Sequence, residues 1–253
     1  MLTQPTIEKL NTMKLTAMAE AFREQLNCPD MSQLSFEERF GLLVDHQMLA
    51  IENKRLQNRL KSAKLRFSAT IEDLEFRADR GLDRSQIISL TTNQWVRNSH
   101  NLFITGPTGA GKSYIACALA QKAARDGHTV LYQRLPRLLD DLCLARHDGR
   151  YYKLTASLAK CQVLILDDLL ITPITREEQK ELLEVIEDRY GRGSTIVTSQ
   201  LPVKAWHSGM QDPTLADAIM DRLIHNAYKI EVKGDSMRKK RSSLDQNPKP
   251  VTK

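Results

Sequence analysis

The sequence predicts an α/β fold in which helices cover both faces of a parallel β-sheet, with a small helical domain before it and a short helical and basic segment after it. Three observations support this prediction. Helix-forming residues dominate up to about residue 66, short β-prone runs alternate with helical stretches after Gly81, and a glycine-rich loop joins the first such run to a helix. With 41% apolar residues, the 253-residue chain can form an ample core.

The N-terminal region has helical periodicity in two segments, residues 6–25 and 35–66, which are separated by a break around Pro29. Ser35 precedes two acids and is expected to cap the second segment. An apolar stripe of this segment comprises Phe36, Phe40, Leu43, Val44, Met48 and Ile51. We expect a small helical domain or helical hairpin, and assign residues 1–75 to it, 76–241 to the α/β domain and 242–253 to a flexible basic tail.

After Gly81 the pattern predicts alternating strands and helices. The expected strands are residues 102–105, 129–133, 163–166, 195–199 and a short one at 228–232. One expected helix follows the glycine-rich loop and ends near residue 125. The others cover residues 136–146, 177–190 and 215–227. Such alternation is typical of a parallel sheet with right-handed crossovers.

The loop between the first strand and its helix has the form G-x-x-x-x-G-K-S. It consists of Gly106, Pro107, Thr108, Gly109, Ala110, Gly111, Lys112 and Ser113. In this motif the glycines let backbone N–H groups surround phosphates, the lysine reaches the β- and γ-phosphates, and the serine hydroxyl binds Mg²⁺. The sequence therefore predicts a nucleoside triphosphate site.

A second motif lies about fifty residues downstream, where the apolar run 163–166 ends in Asp167 and Asp168. In P-loop nucleotide hydrolases an Asp at the end of such a strand and the loop Ser or Thr hold Mg²⁺. We therefore assign Ser113 and Asp167 to the metal site. Asp168 either polarises an attacking water or caps the following turn.

The charge distribution favours an anionic partner. The net charge is +6 and the pI is about 9.1. Residues 53–71 contain no acid but six cations, Lys54, Arg55, Arg59, Lys61, Lys64 and Arg66. A second run, 238–241, is entirely basic. Each cluster is either a solvated face or a nucleic-acid contact.

The four cysteines have neither disulfide-framework nor zinc-site spacing. No stretch approaches the roughly 18 apolar residues that cross a bilayer. We expect a soluble, cytoplasmic protein without a membrane partner.

These motifs, followed by the strand 195–200 and the segments 218–223 and 234–238, make the chain resemble AAA+ ATPases of the DnaC-like clade. Within that clade it is similar to the IstB-type ATP-binding proteins of insertion sequences, which are transposition helpers. The resemblance covers nearly the whole chain. It implies the AAA+ P-loop fold, with ATP and Mg²⁺ as cofactors.

The resemblance also implies roles for individual residues. Lys112, Asp167 and Asp168 would take part in catalysis. Gln200 matches the sensor-1 position, where many relatives have Asn or Asp. Arg222 matches the arginine finger that points at the nucleotide of a neighbouring subunit; its alternative is an ion pair with a nearby acid on its own helix. Arg238 matches sensor 2, which contacts the nucleotide in the same subunit, or belongs to a phosphate-contacting tail.

The implied function is an ATPase that assembles on double-stranded DNA without reading its sequence, forms homo-oligomers through the ATP site, and recruits and stimulates a transposase. The alternatives are a replicative helicase loader of the DnaC or DnaI type and a small-molecule kinase. Further candidates for DNA contact in the ATPase domain are Arg134, Arg137, Arg146, Arg150 and Lys153. Tyr151 and Tyr152 between them are either core residues or part of that contact.

Overall fold

The computed structural model describes residues 3–76, 80–234 and 237. The chain divides into two compact units, Met1–Asn58 and Arg59–Lys253. This division lies earlier than the domain boundary at residue 75 that the sequence suggests. The tail assigned to residues 242–253 lies outside the described residues.

The described residues of the first unit form three helices, because the segment predicted over residues 6–25 is interrupted. The helices are α1 (Thr3–Thr12), α2 (Thr16–Asn27) and α3 (Phe36–Ala63), and α3 continues past the division at Asn58. Lys14 adopts a positive φ of 62° between α1 and α2. A 3-10 turn at Pro29–Gln33 precedes α3. Ser35 and Glu38 then form the reciprocal hydrogen bonds of a capping box, which confirms the predicted cap.

Small residues face the interior of this unit. Ala17, Ala19 and Ala21 of α2 are buried, as is Leu43 of α3. The apolar stripe predicted on α3 is otherwise exposed: Phe36, Phe40, Val44, Met48 and Ile51 are all accessible. The periodicity correctly predicted a helix, but the burial expected of that face is not observed.

The second unit contains a five-stranded sheet. Its strands are β1 (Asn101–Thr105), β2 (Val130–Arg134), β3 (Val163–Leu169), β4 (Ser194–Ser199) and β5 (Ala227–Glu231). Its helices after α3 are α4 (Arg84–Leu90), α5 (Gln94–Arg97), α6 (Lys112–Arg125), α7 (Leu135–Asp148), α8 (Tyr151–Lys160), α9 (Arg176–Arg189) and α10 (Pro213–Ile224). The sequence did not predict α4, α5 or α8.

All strand pairs are parallel and the strand order is β2-β3-β4-β1-β5. Successive residues of each strand contribute to two cores, one on each face. In β3, for example, Ile165 packs with Ile115 of α6 in one core, whereas Leu164 packs with Leu138 of α7 in the other. Because the strands are parallel, the carboxyl ends of β1, β2, β3 and β4 lie at the same edge of the sheet. The predicted site residues lie at or just after these ends.

Among the described helices, none combines the length and apolar character needed to cross a bilayer.

Candidate functional site

The phosphate-binding loop connects β1 to α6. Three glycines of the loop have positive φ angles: 146° at Gly106, 81° at Gly109 and 94° at Gly111. Residues that carry a side chain rarely adopt such angles. Because α6 begins at Lys112, the N–H groups of its first turn point towards the loop. The ammonium group of Lys112 donates to the carbonyl oxygen of Pro107 at 3.0 Å. The loop has the shape and polarity of a phosphate cradle.

Asp167 is the fully buried carboxylate at the centre of the site. Its Oδ1 accepts hydrogen bonds of 2.6 Å from the hydroxyls of Ser113 and Thr198. Its Oδ2 accepts a 2.6 Å hydrogen bond from the hydroxyl of Tyr132 and lies 3.4 Å from a guanidinium nitrogen of Arg66. These contacts compensate the cost of burying the charge. They also fix the orientation of the carboxylate beside Ser113.

A bulge in β3 exposes Asp168 to the site. The β3–β4 register shifts between Leu166 and Leu169, and Asp168 has a φ of 67°. Aspartate tolerates this left-handed conformation better than most residues, and such bulges re-aim side chains near active sites. The carboxylate of Asp168 accepts a 2.8 Å hydrogen bond from Nε of Arg134. Its side chain thus faces the site and pairs with a cation from β2.

Tyr132 and Arg66 complete the surroundings of Asp167. The pKa of the Tyr132 hydroxyl is raised, mainly by burial and to a lesser extent by the hydrogen bond to Asp167. The hydroxyl therefore remains a donor at neutral pH. The Arg66 side chain is 40% exposed and its guanidinium lies 5.4 Å from the ring centroid of Phe67. The same oxygen of Asp167 thus contacts a half-buried neutral donor, Tyr132, and a more exposed cation, Arg66.

A cavity of about 540 Å³ lies over the loop, within the range of roughly 300–1,000 Å³ typical of ligand sites. It is lined by loop residues, Asp168 and Gln200, and by the apolar side chains of Phe67 and Leu74. The amide oxygen of Gln200 accepts a 2.7 Å hydrogen bond from the hydroxyl of Thr108. Gln200 therefore lies at the phosphate end of the cavity.

Arg222 lies at the other end of the sheet. The side chain of Asn101, the first residue of β1, donates to the carbonyl of Leu223 at 3.0 Å, whereas the phosphate-binding loop follows the last residue of β1. The five residues of β1 separate these two ends by about 13 Å or more. The guanidinium of Arg222 forms an ion pair with Glu187 of α9, and not with the acids of its own helix considered from the sequence.

The model of the family described as IstB-like ATP binding protein matches residues 8–245. The chain belongs to this family. A protein of Sinorhizobium fredii named as an insertion sequence ATP-binding protein is 50% identical over 94% of this chain and 98% of its own. The ATP-binding protein named for insertion sequence IS21 of Pseudomonas aeruginosa is 30% identical over 96% and 93% of the two chains.

Solved structures show that this IstB-like chain has the AAA+ P-loop fold. The DnaC helicase loader matches 68% of this chain and 100% of its own with a TM-score of 0.59 and 18% identity. DnaI matches 66% and 92% with a TM-score of 0.58 and 23% identity. DnaA of Aquifex aeolicus bound to AMPPCP matches with a TM-score of 0.57. The predicted family and fold class are both confirmed.

The residues present fit the ATP and Mg²⁺ expected of an IstB-like protein. A Cβ at Gly111 would approach the guanidinium of Arg80 to 3.0 Å, and one at Gly106 would lie 2.1 Å from the carbonyl oxygen of Val232. Glycine at these two positions therefore lets the loop backbone lie this close to Val232 and Arg80. The hydroxyl of Ser113 and the carboxylate of Asp167 are hard oxygen donors in mutual contact, as Mg²⁺ prefers.

The structure brings together the loop, Asp167, Asp168 and Gln200, as the sequence reasoning expected. Arg238 lies outside the described residues. Met237, which precedes it, lines the cavity, and its N–H donates to the carbonyl of Gly109 at 2.9 Å. The sensor-2 assignment of Arg238 stays a prediction.

Three site residues were missed in the sequence. Thr198 and Tyr132 lie near the carboxyl ends of the strands that flank β3, and polar residues at such ends are a usable signal in parallel sheets. Arg80 is buried and donates to the carbonyl oxygens of Glu75 and Ala110, so it holds the loop from the side. Its sequence surroundings contained no signal for this contact.

The candidates for DNA contact have different environments. Arg66 and Arg134, assigned from the sequence to DNA, line the nucleotide cavity and contact Asp167 and Asp168. Other candidates are exposed on the second unit, namely Lys61, Lys64, Arg137, Arg150 and Lys153. Lys54 and Arg55 are exposed on the first unit, and Arg59 donates to a carbonyl of α6.

The two tyrosines of α8 also differ. The ring of Tyr151 is partly buried beneath the guanidinium of Arg146, whose carbon lies 4.1 Å from the ring centroid. Arg146 also forms an ion pair with Glu181 of α9. Tyr152 is 85% exposed. Of these two tyrosines, only Tyr152 is therefore available to a partner, together with neighbouring cations.

Proposed function

We propose that the chain is a Mg²⁺-dependent ATPase that acts in the transposition of an insertion sequence. The observation that supports this most strongly is the contact of Ser113 with the buried carboxylate of Asp167, directly beside Lys112 and the phosphate cradle. When bound, Mg²⁺ shields the charge that develops on the phosphates during transfer. The family and the names of the relatives supply the biological setting.

The remaining carboxylate and amide have roles in hydrolysis. Asp168 orients the attacking water once Arg134 releases it, because the present ion pair occupies one of its oxygens. Gln200 contacts the γ-phosphate from the position where it now accepts a hydrogen bond from Thr108. Because this ion pair must break before Asp168 can act, we expect slow hydrolysis without partners, which suits a switch that partners trigger.

Assembly completes the site. Arg222 and the phosphate-binding loop lie at opposite ends of β1, so Arg222 serves the nucleotide of a neighbouring copy. An interface that joins one end of a subunit to the opposite end of the next is heterologous, and it produces a ring or a filament. Arg238, which follows the cavity-lining Met237, contacts the nucleotide of its own subunit.

DNA and a transposase are the proposed partners. The exposed cations of residues 54–64 and of the α7–α8 region contact phosphates of double-stranded DNA, which gives affinity without sequence recognition. The DNA-bound assembly recruits and stimulates the transposase of the same element. The insertion-sequence relatives match nearly the whole chain, whereas the helicase loader matches in fold alone, so we favour transposition over helicase loading.

The first experiment measures binding to random-sequence duplex DNA with and without ATP, and images the products by electron microscopy. We expect ATP-dependent oligomers on DNA, which Lys112→Ala abolishes, and a steep loss of affinity as salt rises. A wild-type protein that stays monomeric and ignores duplex DNA in the presence of ATP would contradict the proposal.

The second experiment separates the finger from the intrachain ion pair. Arg222→Ala should retain nucleotide binding but lose about 10³-fold in the hydrolysis rate. Glu187→Gln breaks the same ion pair and keeps Arg222, so it should hydrolyse ATP at least as fast as wild type. If both variants lose activity equally, the Arg222–Glu187 pair is structural and the finger assignment is wrong.

A further inference from the structure

The last turn of α3 and the residues after it form a basic segment, residues 59–66, that runs along the phosphate-loop helix α6. At one end, Nε of Arg59 donates to the carbonyl of Ala124, near the carboxyl end of α6, at 2.9 Å. At the other end, Arg66 reaches Asp167 next to Ser113 in the first turn of α6. The eleven steps along the helix from Ser113 to Ala124 span about 16 Å. The segment thus follows nearly the whole helix.

Packing fixes this arrangement. Ala63 is completely buried in the core that contains α6, and Leu60, Leu65 and Phe67 pack against the same core. α3 ends at Ala63 and Lys64 has a φ of 50°, a left-handed residue of the kind that terminates helices. This turn directs the chain towards the site. These apolar side chains therefore anchor the segment, while Lys61 and Lys64 remain exposed.

The two oxygens of Asp167 are used differently. Oδ1 contacts Ser113 and Thr198 on the side where Mg²⁺ is expected, whereas Oδ2 contacts Tyr132 and Arg66. A guanidinium and a metal ion near one carboxylate repel each other, so each lowers the affinity of the site for the other. Arg66 is the cation that can leave, because its contact of 3.4 Å is long and its side chain is 40% exposed.

We propose that Arg66 is a built-in cation that competes with Mg²⁺ for Asp167, and that duplex DNA bound at the basic segment draws Arg66 away and so tightens Mg²⁺–nucleotide binding. The DNA half of this proposal rests on the proposed function. Phosphates held by Lys61 and Lys64 offer Arg66 a competing anion. Coupling between two sites is reciprocal, so bound Mg²⁺–ATP also raises affinity for DNA within a single subunit.

The test uses the full-length protein and a slowly hydrolysed fluorescent ATP analogue. The Mg²⁺ concentration that gives half-maximal nucleotide binding is measured with and without random-sequence duplex DNA. In wild type, DNA should lower this concentration about fivefold or more, the range typical of coupled sites. Arg66→Gln should lower it similarly without DNA, and DNA should then cause no further change.

The matched control is Arg125→Gln, which removes the same charge from the far end of α6, where Arg125 pairs with Glu72 at 3.6 Å. It should keep the wild-type Mg²⁺ requirement and the wild-type response to DNA. The inference is overturned if Arg66→Gln has the wild-type Mg²⁺ requirement, or if Arg125→Gln lowers it equally. A wild-type protein that fails to bind DNA would instead refute the proposed function. The competition between Arg66 and Mg²⁺ would still be tested by comparing the Mg²⁺ requirements of wild type and Arg66→Gln without DNA.

Discussion

Replacing Gly106 by alanine tests whether the phosphate-binding loop is fixed by a close approach of backbone to backbone. Gly106 has a φ of 146°, and an added Cβ would lie 2.1 Å from the carbonyl oxygen of Val232. Val232 cannot easily retreat, because it is buried and its N–H donates to the carbonyl of Thr105 at 2.8 Å. Either the loop or the residues after β5 must therefore move.

Two costs add in this variant. A non-glycine residue in a sparsely populated backbone region costs about 1–3 kcal/mol, and overpacking of a filled interior costs about 1–3 kcal/mol. We expect Gly106→Ala to lower the free energy of unfolding by about 2–6 kcal/mol and to weaken nucleotide binding. Urea unfolding can be followed by the fluorescence of Trp95 and Trp206, both of which are fully buried.

Gly149→Ala isolates the backbone cost. Gly149 has a φ of 76°, and a Cβ there would meet no atom within 4 Å, so this variant should lose only about 1–2 kcal/mol and bind nucleotide normally. The loss in Gly106→Ala beyond that in Gly149→Ala then reflects the contact with Val232 together with the less favourable φ of 146°. Equal destabilisation of both variants would refute the claim that this contact holds the loop.

Three further outcomes are expected. Arg189→Met should lower the free energy of unfolding by about 3–5 kcal/mol in urea, because three buried carbonyl oxygens lose their donor; a loss below about 1 kcal/mol would contradict this. Tyr132→Phe should weaken Mg²⁺-dependent nucleotide binding about tenfold and leave metal-free binding unchanged, because Asp167 loses its orienting donor; an unchanged Mg²⁺ requirement would exclude that role. Burial raises the pKa of the Cys117 thiol to about 11, so little thiolate exists at pH 8, and mass mapping should find Cys117 unlabelled by thiol reagents until the protein unfolds.

The features that the sequence predicted are those whose signals are local. The loop motif, the start of α6 and the apolar run before Asp167 are each contained in fewer than ten residues, and all three occur where they were predicted, although β3 continues to Leu169. By contrast, α8 was not predicted. It follows Gly149 and combines tyrosines with cations, and this pattern is equally compatible with an exposed loop. The helical period of α3 was correct, but period alone cannot say what covers an apolar face, and Phe36 and Phe40 are exposed.

Charge patterns were the least reliable signal, because their meaning depends on distant residues. Arg66 and Asp167 are 101 positions apart, and Arg134 and Asp168 are 34 apart. The sheet order, with β2 next to β3, brings Arg134 to Asp168, whereas packing of residues 59–66 against the core of α6 brings Arg66 to Asp167. From sequence alone, a cation in a basic run looks the same whether it faces solvent, DNA or a carboxylate.

The two carboxylates at the end of β3 therefore have different counterions from different parts of the chain. Arg66 belongs to the segment proposed to contact DNA, whereas Arg134 ends the neighbouring strand β2. Binding of Mg²⁺–ATP adds charge beside both pairs, so it must change both. The proposed finger, Arg222, lies at the opposite end of the sheet and can reach only the site of another copy. In the proposed mechanism, a subunit that has bound ATP therefore needs two external events before hydrolysis is efficient, namely capture of DNA near Arg66 and docking of a neighbour's Arg222.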